Sequence, residues 1–261
     1  MALDNANLKE AVLEGCIPMR GRMIHPLGAE PFISPYSGRP SDYINSVSRP
    51  GLNMILLDAA EKYDNIDIKF DVPVVDVDLK AAKIKYLDHE GNTHFDEGTV
   101  VIGTDGAGSA IRRSMMKYTS ELLFNYSQDF LRHGYKELSI LPADNGGWRI
   151  EKEVLHIWPR GEFMIIALPN LDGSFTLTMF HPYGTDIGFD NLDTEEKIAS
   201  FFESNYPTLL PYIPHYQEEY AKNPVGTLGT IKCYPWQAFG KGLIKGDASH
   251  AIVPFYGQGM N

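Results

Sequence analysis

The 261-residue chain is 43% hydrophobic and 22% charged, the make-up of an ordinary globular protein with length for one large core or two modest ones. Its 34 acidic against 23 basic residues give a net charge of −11, which argues against a nucleic-acid or anionic-membrane surface while leaving room for a local basic pocket. Cys16 and Cys233 lack metal-ligand spacing, no apolar run approaches the roughly 20 residues of a membrane span, and the start resembles no signal peptide, so a soluble cytoplasmic protein with reduced thiols is expected.

Leu8, Ala11, Val12 and Gly15 share one helical face, predicting a short amphipathic helix over residues 7–16. Residues 18–43, dense in Gly and Pro and carrying Arg20, Arg22 and Arg39, read as extended or looped. Ser48 as N-cap, Pro50 in the first turn and a stripe of Leu52, Ile55, Leu56 and Ala59 predict a helix. Period-two alternation through Ile66, Ile68, Phe70 and Val72, then Val75, Val77 and Leu79, predicts a strand followed by a hairpin turning at Glu90-Gly91-Asn92. Thr99-Val100-Val101-Ile102, apolar and closed by Gly103, reads as a strand buried on both faces of a parallel sheet.

Farther on, residues 154–158, 163–168 and 175–180 are β-rich runs separated by Pro159-Arg160-Gly161 and Asn170-Leu171-Asp172-Gly173. They predict an antiparallel meander forming a second domain. Asp193 with Glu196 resembles a capping box opening a helix with Ile198, Phe201 and Phe202, ended before Pro207. The final KGLIKGDASHAIVPFYGQGMN returns to a short apolar strand and a glycine-rich turn.

Two constellations carry chemistry. Asp105-Gly106-Ala107-Gly108-Ser109-Ala110-Ile111-Arg112 sits between a strand and a helix, where glycines let backbone N–H groups approach a phosphate. The same Asp-Gly serves equally for a turn and an N-cap. Gly246-Asp247-Ala248-Ser249-His250, followed by Pro254-Phe255-Tyr256-Gly257-Gln258-Gly259-Met260-Asn261, puts a carboxylate after a strand and then a glycine-bracketed loop. That combination suits the ribityl-pyrophosphate and ring of a flavin, and its length makes it the more specific signal. His156 and His250 read as structural or backbone-bonded residues rather than acid/base groups.

Together these motifs resemble the DG and GD fingerprints of the class A flavoprotein monooxygenases, the para-hydroxybenzoate hydroxylase family. MRGRMIH, SVSRPGLNMILLDAA, HGYKELSI, LHIWPRGEFMIIALPNLDGSFTLTMF and VPFYGQGMN are similar to its kynurenine-hydroxylating members, and span nearly the whole chain. The resemblance implies an α/β (α+β) fold, with a partial Rossmann-like FAD-binding domain at 1–118 and 236–261 and an antiparallel β-sheet substrate domain at 119–235. It implies that Arg22 and Tyr36 hold the substrate carboxylate under an apolar lining of Leu155, Ile166, Leu168, Phe180 and Phe255. Cofactor contacts would fall to Arg49, Val74, Asp105, Gly106, Asp247, Gly257, Gly259, Met260 and Asn261; Tyr256 receives no role, and neither a catalytic triad nor a metal is expected.

The chemistry so implied is that of the cofactor. NADPH reduces FAD, molecular oxygen adds to give a flavin hydroperoxide, and L-kynurenine becomes 3-hydroxykynurenine, a step of tryptophan catabolism toward pyridine nucleotides. Complete relatives open with a strand, a GxGxxG turn and a helix, and close with further helices. No GxGxxG occurs here, so a chain lacking both ends is expected. A catalytically silent remnant and a sister hydroxylase for another aromatic acid stay open as alternatives, as does the oligomeric state.

Overall fold

The computed structural model describes residues 2–256. In chain order it runs α1 (Ala2–Asn5), α2 (Lys9–Glu14), β1 (Cys16–Met19), β2 (Gly21–Ile24), β3 (Phe32–Pro35), β4 (Ile44–Val47), α3 (Arg49–Ala60), β5 (Val74–Asp78), β6 (Lys83–Leu87), β7 (Thr93–Glu97) and β8 (Val101–Gly103). There follow α4 (Ala110–Met116), α5 (Thr119–Leu122), β9 (Asn125–Ile140), β10 (Val154–Arg160), β11 (Phe163–Pro169), β12 (Phe175–Pro182), α6 (Glu195–Asn205), α7 (Tyr216–Lys222), β13 (Gly226–Tyr234), β14 (Gln237–Ala238), β15 (Gly242–Ile244) and α8 (Asp247–His250). Two compact units result: residues 1–67 with 132–227, and residues 68–131 with 228–261. Among the described residues no helix is long and apolar enough to cross a membrane.

The first unit is organised by a sheet of order β13-β9-β12-β11-β10-β2-β3. The meander read from the sequence is its centre: β10, β11 and β12 pair antiparallel. β2 joins the meander in parallel, Arg22 opposite Leu155, so the N-terminal segment folds with this sheet. Alternation then separates two faces. Ile165, Ala167, Phe175, Leu177, Met179 and Trp158 are almost wholly buried, and form one core with Ile198, Phe201 and Phe202 of α6 and with Leu209, Ile213 and Tyr220. Their neighbours on the other face, Leu155, Ile157, Ile166, Leu168, Thr176 and Thr178, are only half-buried.

The second unit combines an antiparallel β5-β6-β7 sheet with a three-stranded β14-β15-β8 sheet. The hairpin turn at Glu90-Gly91-Asn92 forms as expected: Asp88 and Asn92 close it, Gly91 takes φ +83°, and the Asp88 carboxylate accepts the N–H groups of Glu90 and Asn92. Val77, Leu79, Ile111, Met115, Phe124, Ala238, Ile244 and Ala248 make its core.

Several local expectations need correction. Ile66, Ile68, Phe70 and Val72 form no strand; Asp71 takes a left-handed φ of +57°, Pro73 offers no N–H, and pairing begins only at Val74. The run at Thr99 is not buried on both faces: Val100 is 51% and Ile102 56% exposed, and among the described residues β8 pairs with β15 alone. The cap of α6 is Thr194, whose hydroxyl accepts from Lys197 N, while Asp193 forms an ion pair with Lys197. By contrast Ser48 caps α3 as read, accepting from Gly51 N at 3.3 Å.

Candidate functional site

β2 carries Arg22, and Tyr36 follows directly on β3; Arg22 faces Ser34 across the pair, so Tyr36, two residues farther on, shares its side of the sheet. The Arg22 guanidinium lies 4.4 Å from the Tyr36 ring centroid. Neither group has a hydrogen-bond partner among the described residues. Arg22 is half-buried with no carboxylate partner among the described residues, and the Tyr36 hydroxyl is buried with no hydrogen-bond partner there. Burial pushes the phenol above its usual range, against a smaller opposing pull from Arg22, so it stays a donor. A cation and a phenolic donor left unpaired side by side are set up for an anion.

Register extends this pair into a floor. Leu155 is opposite Arg22, Ile157 is opposite both Ile24 and Ile166, and Leu168 follows two residues after Ile166. Arg22, Tyr36, Leu155, Ile166 and Leu168 thus share one half-buried face. Phe180 has the same parity on β12, opposite Met164, and is 3% exposed. Phe255 belongs to the other unit, in a 3-10 turn over Pro254–Tyr256. Arg49, the first residue of α3, is exposed.

The two motifs meet in the second unit. β8 and β15 run parallel with Gly103 opposite Ile244, and Lys245 N donates to Gly103 O at 2.9 Å. Asp105-Gly106 and Gly246-Asp247 therefore leave adjacent strands at the same carboxyl edge, the usual place for a ligand in an α/β sheet. Gly106 and Gly246 take φ of +74° and +58°. Asp105 Oδ2 accepts the Ala110 N–H at 2.7 Å, so this carboxylate holds the start of α4. Asp247 is exposed with no partner among the described residues, and is free to accept a ligand hydroxyl. Val74 packs half-buried against the core of this unit. Gly257, Gly259, Met260 and Asn261 lie outside the described residues.

Gly103 is required where α4 crosses β8. A Cβ there would stand 2.6 Å from Ile111 Cδ1 and 3.3 Å from Asp105 Oδ1. Gly103→Ala is expected to cost about 1–3 kcal/mol through overpacking, read as a lower denaturation midpoint with unchanged slope.

The residue that closes the Asp105 motif, given no role of its own from the sequence, ties the two motifs together. Arg112 on α4 is 4% exposed; its guanidinium donates to Ala248 O at 2.7 Å and to Ala107 O, and lies over the Tyr126 ring. It joins the Asp105 loop to α8.

His156, read as structural, behaves so. His156 Nε2 contacts Glu151 O at 2.7 Å, which places a proton on that nitrogen and leaves Nδ1 to accept from His25 Nε2 at 2.9 Å. His25 stacks on Trp158. Burial holds His25 and His181 neutral, at about 4. Between that value and about 6.5 the unfolded chain binds protons that the folded chain refuses. Their contribution to stability is complete above pH 6.5 and lost as pH falls toward 4. The denaturation midpoint is expected to drop from pH 7 to pH 5, less steeply in His181→Gln; equal steepness would contradict this. Exposed His250 sits beside the Trp236 ring. Among the described residues no cluster of His, Cys, Asp and Glu is suited to a metal.

No family model matches the chain. A kynurenine 3-monooxygenase of Myxococcus xanthus is 44% identical over all of this chain and 56% of its own length. Its namesake from Dictyostelium discoideum is 44% identical over 96% of this chain and 53% of its own. A 2-methyl-3-hydroxypyridine-5-carboxylic acid oxygenase shares the fold with a TM-score of 0.71 at 20% identity, over 98% of this chain and 64% of that one. A tetracycline destructase does so at 0.62 and 17% identity, with the same coverage. The chain thus spans little more than half the length of the curated relatives it matches. From end to end this chain is similar to relatives named kynurenine 3-monooxygenase, at 43–44% identity for three of them.

Proposed function

We propose that this chain supplies the substrate face and part of the cofactor site of an FAD-dependent, NADPH-using hydroxylase that converts L-kynurenine and molecular oxygen to 3-hydroxykynurenine. The observation that carries the reading is the unpaired Arg22 and Tyr36 at the margin of an apolar sheet face. An amino acid with an aromatic ketone fits that arrangement: its carboxylate meets the guanidinium fork and the phenol, and its ring lies on Leu155, Ile166 and Leu168. The division by ligand runs through 1–118 and 236–261 on the cofactor side and 119–235 on the substrate side, with Arg22 and Tyr36 reaching the substrate from the first segment.

The motif pair fits the cofactor in its own unit. Asp247 would accept from a sugar hydroxyl, and the loops at Gly106 and Gly246 bring backbone close without a Cβ in the way. FAD, when bound, supplies oxygen activation and takes its electrons from NADPH. The chain's own residues do the rest. Arg22 and Tyr36 fix one end of the substrate, so that the ring is presented in one orientation. The apolar floor keeps water off the ring, which protects a reactive oxygen donor from discharge. No protein base is required, because the substrate's amino group activates the carbon beside it.

The test is a spectrum. The purified full-length protein is expected to be yellow, or to become so with added FAD, and to yield 3-hydroxykynurenine with NADPH and L-kynurenine. A colourless protein that takes up no flavin would sink the reading in favour of a silent remnant.

A further inference from the structure

We propose that Thr178, with Glu137 beside it, determines specificity on the sheet face by receiving an N–H from an amino substituent on the ligand's ring. This rests on the reading of that face as a substrate site.

Register places Ile24, Ile157, Ile166, Thr178 and Glu137 in one row across five strands. The first three are aliphatic; the row then turns to a hydroxyl and ends on a carboxylate. The adjacent row holds Arg22, Leu155 and, on β12, Thr176. The two threonines differ in their partners. Thr176 Oγ1 is engaged by Asn170 Nδ2 at 3.1 Å, whereas the half-buried Thr178 hydroxyl has no partner among the described residues. A hydroxyl that is half out of water on an apolar surface gains from a ligand partner what it lacks from the protein.

The face is also electrically directional. Arg22 on β2 and Thr178 on β12 are three strand spacings and one two-residue row apart, ~16 Å at the backbone. Glu137 stands one strand beyond Thr178, exposed and without an ion-pair partner among the described residues. A carboxylate there repels a second carboxylate and favours a donor, so a ligand with an acid at one end and a ring amine at the other is read in one sense only.

The experiment measures affinity of the full-length protein for L-kynurenine and for the analogue without the ring amine, 2-amino-4-oxo-4-phenylbutanoic acid. Thr178→Val keeps the shape and removes the hydroxyl. It is expected to weaken kynurenine three- to tenfold and the analogue less than twofold, with Thr178→Ser restoring kynurenine. Equal losses for both ligands, or no loss for kynurenine, would overturn the assignment of Thr178. If that happens while Arg22→Ala still weakens both ligands, the site stands and the role of Thr178 alone falls. If the wild-type protein binds neither ligand, the reading of the face falls and this inference with it.

Discussion

Arg22→Ala is expected to weaken L-kynurenine binding about a hundredfold while leaving the protein folded. The loss follows from removing charge-assisted, forked hydrogen bonds to a carboxylate, worth about 3 kcal/mol in a half-buried setting. Folding should be spared because the guanidinium has no carboxylate partner among the described residues to abandon. A half-desolvated cation without a carboxylate partner among the described residues is a cost to the folded state, offset in part by the Tyr36 ring beneath it. The denaturation midpoint is therefore expected to stay level or rise slightly. Arg22→Lys should recover part of the affinity, since an ammonium restores charge without the fork. Tyr36→Phe removes one donor and is expected to cost about 1 kcal/mol, near fivefold. A drop in stability matching the drop in affinity would mean that Arg22 is structural and the clamp is wrong.

The second large effect belongs to the other unit. Arg112→Leu is expected to cost about 2–4 kcal/mol of stability, because it deletes both bonds of a buried guanidinium and strands Ala248 O and Ala107 O. The carbonyls sit on the two motif segments, so flavin uptake should fall along with stability, and Arg112→Lys, with one ammonium for two divergent acceptors, should rescue little. A denaturation midpoint shifted by less than about 0.5 kcal/mol would show that the tie is dispensable.

These residues mark the limit of what the sequence could show. The meander was legible because turn residues separate short runs that alternate with period two, and its burial pattern follows that alternation. α3 was legible from Ser48, Pro50 and the stripe of Leu52, Ile55, Leu56 and Ala59. The sixteen-residue β9 was not, because its first half, from Asn125 to Arg132, is mostly exposed and shows no clean alternation. The period at Ile66 misled because alternation says nothing of a partner strand, and Asp71 and Pro73 interrupt the chain before one is reached. The same limit applies to the Thr99 run: apolar character was read as burial, yet Ile102 is 56% exposed.

The candidate site was legible in a different way. Arg22, Tyr36 and the lining came from resemblance, since a loop arginine by composition alone is an ordinary solvated group. What the fold adds is the parallel pairing of β2 with β10, which brings Arg22 opposite Leu155 from far along the chain. The tie made by Arg112 was invisible for the same reason, its acceptor at Ala248 lying 136 residues away. Such contacts are set by tertiary pairing and leave no local signal. The apposition of the two glycine motifs is also tertiary, fixed by the β8–β15 register.

The most direct test of the central claim is substrate-stimulated NADPH oxidation by the FAD-loaded full-length protein, run side by side with L-kynurenine, anthranilate and the hydroxybenzoates. L-Kynurenine should accelerate oxidation strongly and emerge as 3-hydroxykynurenine, with the other acids near the unstimulated rate. Stimulation by a hydroxybenzoate but not by kynurenine, with the hydroxylated benzoate as product, would contradict it.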